Sequence, residues 1–230
     1  MASYSEIEYS LLNLYRGGLT SDDENVSGKQ LMFHFRNYRA KLVREDLGKG
    51  RTLDRQLVQS LGCVAVECVD AAECCEIADS GTTVLRTKEP IPKLLEFYNK
   101  NLLTFVGTVD KVTPYQITTP TQARWSKFNK YTSKTTKAYL QDSSNYLYII
   151  NAPNGIELIN IQGVFENPED VSTYNNCDGK VCFSKEDEYP ISAHMTPVIT
   201  ELIMTKELKV LASTPTDVSN NTKDDAGDQV

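Results

Sequence analysis

The sequence predicts an α+β fold in which N-terminal helices and a C-terminal helix pack as a small bundle, with an inserted, mainly antiparallel β region. Three observations carry this expectation. Helical spacing of apolar residues dominates the opening quarter and returns after Pro190, strand-like alternation fills the middle, and turn residues separate the runs. The expected organisation is a helical part over 1–62, a β-rich insertion over 63–189, a helix over 190–212 that rejoins the bundle, and an exposed tail over 213–230.

Each element follows from its residues. Ser5 to Arg16 places Ile7, Leu11, Leu12, Leu14 and Tyr15 near helical spacing, with Gly17-Gly18 as a stop. A long helix is expected from about Val26 to Leu47, where Leu31, Phe35, Tyr38 and Leu42 recur on one face and Arg36, Arg39 and Arg44 occupy the flank. Gly48 and Gly50 end it, and a short helix starts at Thr52 or Asp54. Cys63 to Val69, Thr82 to Thr87, Leu102 to Val109 and Lys134 to Leu140 read as strands, and Lys93 to Asn99 as a helical segment. Tyr146 to Ile150, then Asn154-Gly155, then Ile156 to Phe165 spells a hairpin, because both turn residues of that type take positive φ. Thr196-Pro197 suits the start of a last helix, with Met195, Val198, Ile199, Leu202 and Ile203 as its stripe.

The 230 residues carry 24 basic and 31 acidic side chains, a formal charge of −7, and that mean hides blocks. Lys29 to Arg55 holds eight basic and three acidic residues, a net of +5. Arg124 to Lys137 holds five basic residues and no acid: Arg124, Lys127, Lys130, Lys134 and Lys137. Glu166 to Glu188 reverses the sign, with seven acids against Lys180 and Lys185. Opposite patches on one chain suit head-to-side contact between identical copies, the geometry that closes rings. Basic residues interleaved with Trp125, Phe128 and Tyr131 also have the make-up of a nucleic-acid surface, although a net negative chain binds free nucleic acid poorly.

Six cysteines fall into two groups, Cys63, Cys68, Cys74 and Cys75, then Cys177 and Cys182. No secretory leader is expected in Met1 to Glu6, which lacks a basic region and an apolar core, so reduced thiols are expected. In a two-residue hairpin around Asp178-Gly179, Cys177 faces Lys180 and Cys182 lies diagonally from it. A shared metal bound by Cys74, Cys75, Cys177 and Cys182 is then the alternative to buried apolar thiols. His34 and His194 lack a sequence-evident nucleophile or acidic orienter, and no C-x-x-C is present, so no enzyme and no cofactor are expected. The alternatives kept beside this are a metal- or thiol-dependent enzyme and a nucleic-acid-binding module. No apolar run reaches the length of a membrane span.

Four phrases together carry a resemblance: Tyr38-Arg39-Ala40-Lys41-Leu42-Val43-Arg44-Glu45-Asp46, Gly62-Cys63 through Glu67-Cys68-Val69-Asp70, Trp125 with Asn129-Lys130-Tyr131-Thr132, and Gly163-Val164-Phe165-Glu166-Asn167-Pro168. The chain resembles the head-to-tail connector ring proteins of crAss-like and related short-tailed bacteriophages, over roughly residues 5–212. The resemblance implies a virion protein at the head-tail junction, assembled in the host cytoplasm as a twelve-copy ring. Its implied neighbours are the portal, other ring proteins and tail proteins, with genomic DNA passing through the channel. The five basic residues from Arg124 to Lys137 are then interface or channel candidates.

Overall fold

The computed structural model describes residues 2–16, 26–69, 84–98, 100–153 and 155–208, without the side chain of Lys127. Helix α1 (Tyr4–Arg16) buries Tyr4, Ile7 and Leu11, one face of three turns. Ser3 and Glu6 start it by exchanging side-chain and backbone hydrogen bonds of 2.9 and 3.2 Å. Helix α2 (Gly28–Gly48) is capped by Ser27, whose hydroxyl accepts from the Gln30 amide. Its buried side chains are Leu31, Met32, Phe35, Arg39, Ala40 and Val43. After Asp54 caps a 3-10 turn over Arg55–Leu57, the chain enters the β region.

The last helix, α4 (Met195–Leu202), returns onto α2 as expected and continues as a π-helical turn over Ile203–Glu207. Tyr38 donates to the Glu207 carboxylate at 2.7 Å, and His34 Nδ1 lies 3.6 Å from the same carboxylate. The N-cap is His194 rather than Thr196, so Pro197 occupies the third helical position. Its missing N–H is tolerated there because the first-turn amides have no helical acceptor.

The strands are β1 (Gln59–Ser60), β2 (Val64–Val69), β3 (Val84–Thr87), β4 (Glu96–Phe97), β5 (Lys100–Asn101), β6 (Leu103–Gly107), β7 (Gln116–Ile117), β8 (Lys137–Gln141), β9 (Tyr146–Ile150) and β10 (Leu158–Gly163). The main sheet runs β1-β10-β2-β3-β9-β8-β7, with β6 on the other side of β10. All its pairs are antiparallel except β7 with β8. The Tyr115 amide donates to the Val106 carbonyl at 2.7 Å and Gly107 bridges Pro114, so β6 also meets the start of β7. The sheet thereby curls into a closed circuit, which removes open edges. Val64, Val106, Tyr115, Ala138, Leu140, Leu147, Ile149, Ile159 and Ile161 fill it and belong to the same core as the helices. On the outer face, Tyr139 and Tyr148 stack at 5.4 Å and join Val84 and Ala123 in a smaller cluster.

Four further expectations are corrected. The described part of the expected Lys93 to Asn99 helix, Lys93 to Tyr98, is not helical: Leu94 bridges Phe165, and the Leu95 amide donates to Val164 at 2.8 Å before the β4–β5 hairpin, while Asn99 lies outside the described residues. Long-range pairing and the burial of adjacent Leu94 and Leu95 override local helix propensity. Asn154-Gly155 does not join paired strands either. β9 is flanked by β3 and β8, so β10 pairs elsewhere, and the hairpin is β8–β9 with Gln141 opposite Tyr146. Asn154 itself lies outside the described residues, while Gly155 keeps the positive φ of 86° that its turn requires.

The third correction concerns the cysteines. Asn175 pairs with Val181 and the Asn176 amide donates to Lys180, so the hairpin loop has three residues and Cys177 sits in it. This one-residue slip turns Cys177 away from Cys182 and onto Cys63, with which it forms a disulfide at a Cα–Cα distance of 5.2 Å. A bulge brings Cys63 there. Gln59↔Gly163 and Ile159↔Val64 differ in register by one residue, and the intervening Gly62 takes φ 68° with Asn176 backbone against its open side.

The fourth correction is Arg39, expected on the helix flank and found at 0% exposure. Its Nε donates to the Pro190 carbonyl at 2.7 Å and its Nη1 to the Phe165 carbonyl at 3.0 Å, with the Tyr189 ring 5.9 Å from Cζ. Burial lowers the Arg39 pKa, and burial raises that of Tyr189 to about 12. Arg44 adds an outer link, donating to the Glu96 carbonyl at 3.0 Å.

Two expected outcomes follow from these contacts. Arg39→Met leaves two buried carbonyls unpaired, so urea unfolding should show a loss of about 2–4 kcal/mol, and Arg39→Ala should lose more through the added cavity. An unchanged midpoint for Arg39→Met would show the tether to be dispensable. Cys63→Ser, or wild type under reductant, should lose about 2–4 kcal/mol because the bond closes a long loop in the unfolded chain. Equal midpoints with and without reductant would refute the bond.

Candidate interaction surface

The basic and aromatic stretch forms a projecting knob. Helix α3 (Pro120–Trp125) starts with a capping box between Thr119 and Gln122 and carries Pro120 in its first turn. Buried Ala123 seats it on the outer face of β8, beside Tyr139 and Tyr148. A 3-10 turn over Ser126–Phe128 follows, with the Ser126 hydroxyl donating to the Ala123 carbonyl at 2.7 Å. The loop back to β8 is tied down by Asn151, whose side-chain amide donates to the carbonyls of Ser133 and Thr135 at 2.5 and 3.2 Å. The Asn129 side chain accepts from the Tyr131 amide at 3.2 Å.

This scaffold holds three aromatic side chains in solvent: Trp125 at 68% exposure, Phe128 at 71% and Tyr131 at 86%. The Trp125 and Phe128 rings lie 5.8 Å apart, and Lys130 Nζ lies 5.9 Å from the Tyr131 ring centre. Arg124, Lys130 and Lys134 are exposed around them. Lys127 belongs to the 3-10 turn, and its side chain is outside the described residues. Lys137 departs from the group, because it begins β8 and is only 4% exposed. Three of the five cations are therefore displayed together with the aromatics.

The acidic segment forms a rim on a different part of the molecule. It comprises a 3-10 turn over Pro168–Thr173, the Asn175–Val181 hairpin and a turn near Glu186. Asp170, Asp178, Glu186 and Asp187 are exposed, and none forms an ion pair among the described residues. The rim is fixed to the start of α1: Ser5 donates to Glu186 at 2.9 Å, Glu188 bridges Ser3, and the Tyr189 amide donates to the Ala2 carbonyl.

The two histidines are not brought together. His34 faces Glu207, whereas His194 Nε2 lies 3.3 Å from Asp46, which also takes Arg51 at 2.8 Å. The twelve helical steps from His34 to Asp46 span about 18 Å. Asp46 and His194 border an open depression of about 600 Å³ floored by Val43, Leu47 and Met195. The proposed thiolate set loses Cys177 to its disulfide, Cys182 accompanies the Asn176 amide oxygen at 3.5 Å, and Cys74 and Cys75 lie outside the described residues. Among the described residues no group of three His, Cys, Asp or Glu side chains is placed to hold a metal. No helix among them is long and apolar enough to cross a membrane.

Sequence reasoning missed Arg39, although a signal was present: Leu31, Phe35, Arg39 and Val43 recur at intervals of four, which places the arginine inside the apolar stripe. The knob aromatics hold no part of the core, so Trp125→Ser and Tyr131→Ser should each cost within about 0.5 kcal/mol. Thermal unfolding would check this, and a drop of many degrees would identify them as packing residues instead.

The model of a family described as phage tail ring protein 2 matches residues 6–226. The chain is also 24% identical over 238 residues to "Ring protein 2" of Bacteroides phage crAss001, covering 98% of this chain and 99% of that protein.

Proposed function

Because the chain belongs to the phage tail ring protein 2 family, we propose that it is a structural subunit of the head-to-tail connector. It joins capsid to tail below the portal and surrounds the DNA channel as a ring, with twelve copies as the working number. The family match over nearly the whole chain is the observation that carries this reading. A second support is the relative's name, which specifies a ring and no reaction.

The chemistry of the surface is compatible with assembly rather than turnover. His34 and His194 lie apart, and the charged blocks of opposite sign are displayed on separate elements. Many identical copies make weak individual contacts effective, since closing a ring makes each later contact intramolecular. Portal, further ring proteins and tail proteins are the proposed neighbours, and the acidic tail after Pro215 is the proposed docking element. The particle is the proposed location, reached after assembly in the host cytoplasm.

Quantitative mass spectrometry of purified particles should find this chain in a ratio of about one to each portal subunit, as stacked rings of one symmetry require. Particles carrying a chain shortened after Pro215 should retain fewer copies. Absence of the full-length chain from the particle would overturn the connector reading.

A further inference from the structure

The knob and the acidic rim display exposed charge of opposite sign on separate elements. Arg124, Lys130 and Lys134 form no ion pair among the described residues, and neither do Asp170, Asp178, Glu186 and Asp187. A ring built from one chain needs two different, complementary surfaces on each copy, because its contacts are head-to-side. From this complementarity we infer that the knob of one copy docks on the acidic rim of the next copy of the same chain. The inference rests on the ring reading above and names the surfaces that close it.

Three physical features fit this contact. The knob is prefolded by its capping box and by the Asn151 ties, so docking costs little chain entropy. Exposed Trp125 and Tyr131 have the anchor chemistry of an interface centre, large and apolar with a polar edge. The basic segment from Arg124 to Lys137 has no acid of its own, while Glu166 to Glu188 carries a net charge of −5, so like copies attract in one register and repel in the reverse one.

The two surfaces also stand on different parts of the fold. The knob is seated on β8, and the rim is tied to the start of α1, so one copy can engage two neighbours at once. DNA is the less suitable occupant. Duplex in a channel offers phosphates rather than splayed bases, so three projecting aromatics would find nothing to stack on.

Zero-length carbodiimide coupling, which joins a lysine amine to a carboxylate in direct contact, tests this on intact particles. The expected product is a dimer of this chain in which peptides containing Lys130 or Lys134 are joined to peptides from 166–188. That dimer should be lost when particles are dissociated before coupling. Dimers joined only through other pairs would overturn the inference while leaving the ring reading standing. Coupling of Lys130 and Lys134 to a different virion protein would also overturn it, in favour of that neighbour. Absence of the chain from the particle would remove the ring reading and the inference together.

Discussion

Among the described residues, the packing of the helices against the sheet is referred to Arg39. A helix that carries a guanidinium into a dry core must give it acceptors, and here these are main-chain carbonyls rather than a carboxylate. The Phe165 carbonyl belongs to the segment leaving β10, and the Pro190 carbonyl to the segment entering the last helix. One side chain therefore sets the long helix, the exit of the sheet and the approach of the C-terminal helix relative to one another. Backbone acceptors make the demand geometric, because a carbonyl cannot swing towards a displaced donor as a carboxylate side chain can.

That constraint explains how helices and sheet share a core despite lying far apart in sequence. Phe35 packs edge-on against Tyr189 at 5.7 Å beside Arg39, and Arg44 reaches the β4 strand one turn further along α2. The sheet then closes on itself, so its outer face is left to carry attachments. The knob is such an attachment. Its base is two small buried residues, Ala123 and Ser126, and its aromatic side chains are excluded from the interior because the barrel is already filled.

Family membership gives these surfaces a setting. On the ring reading proposed above, the protein's surface chemistry is as informative as its core. Segregated charge and exposed aromatics on a rigid mount are costly to a lone soluble protein, since they invite association. In the proposed ring the same features would be the means of recognition.

The amino-acid sequence by itself determined the kind of most elements and the sign of each surface. Periodicity of Ile7 and Leu11, of Leu31 and Phe35, and of Leu147 and Ile149 states which face of a segment avoids water, and that depends on neighbours in sequence alone. The basic run with its aromatics was legible for the same reason, since no folding step was needed to see it. Tertiary structure alone decided which strands pair, why Lys93 to Phe97 is extended, why Cys177 meets Cys63, and why Lys137 leaves the basic surface. Pairing is a contest among distant edges, and a slip of one residue, as at Gly62 or in the Cys177 loop, reverses the direction of every side chain beyond it. Arg39 was hidden by the same limit: its spacing placed it in the apolar stripe, but only the folded chain brings two carbonyls from residues 165 and 190 to receive it.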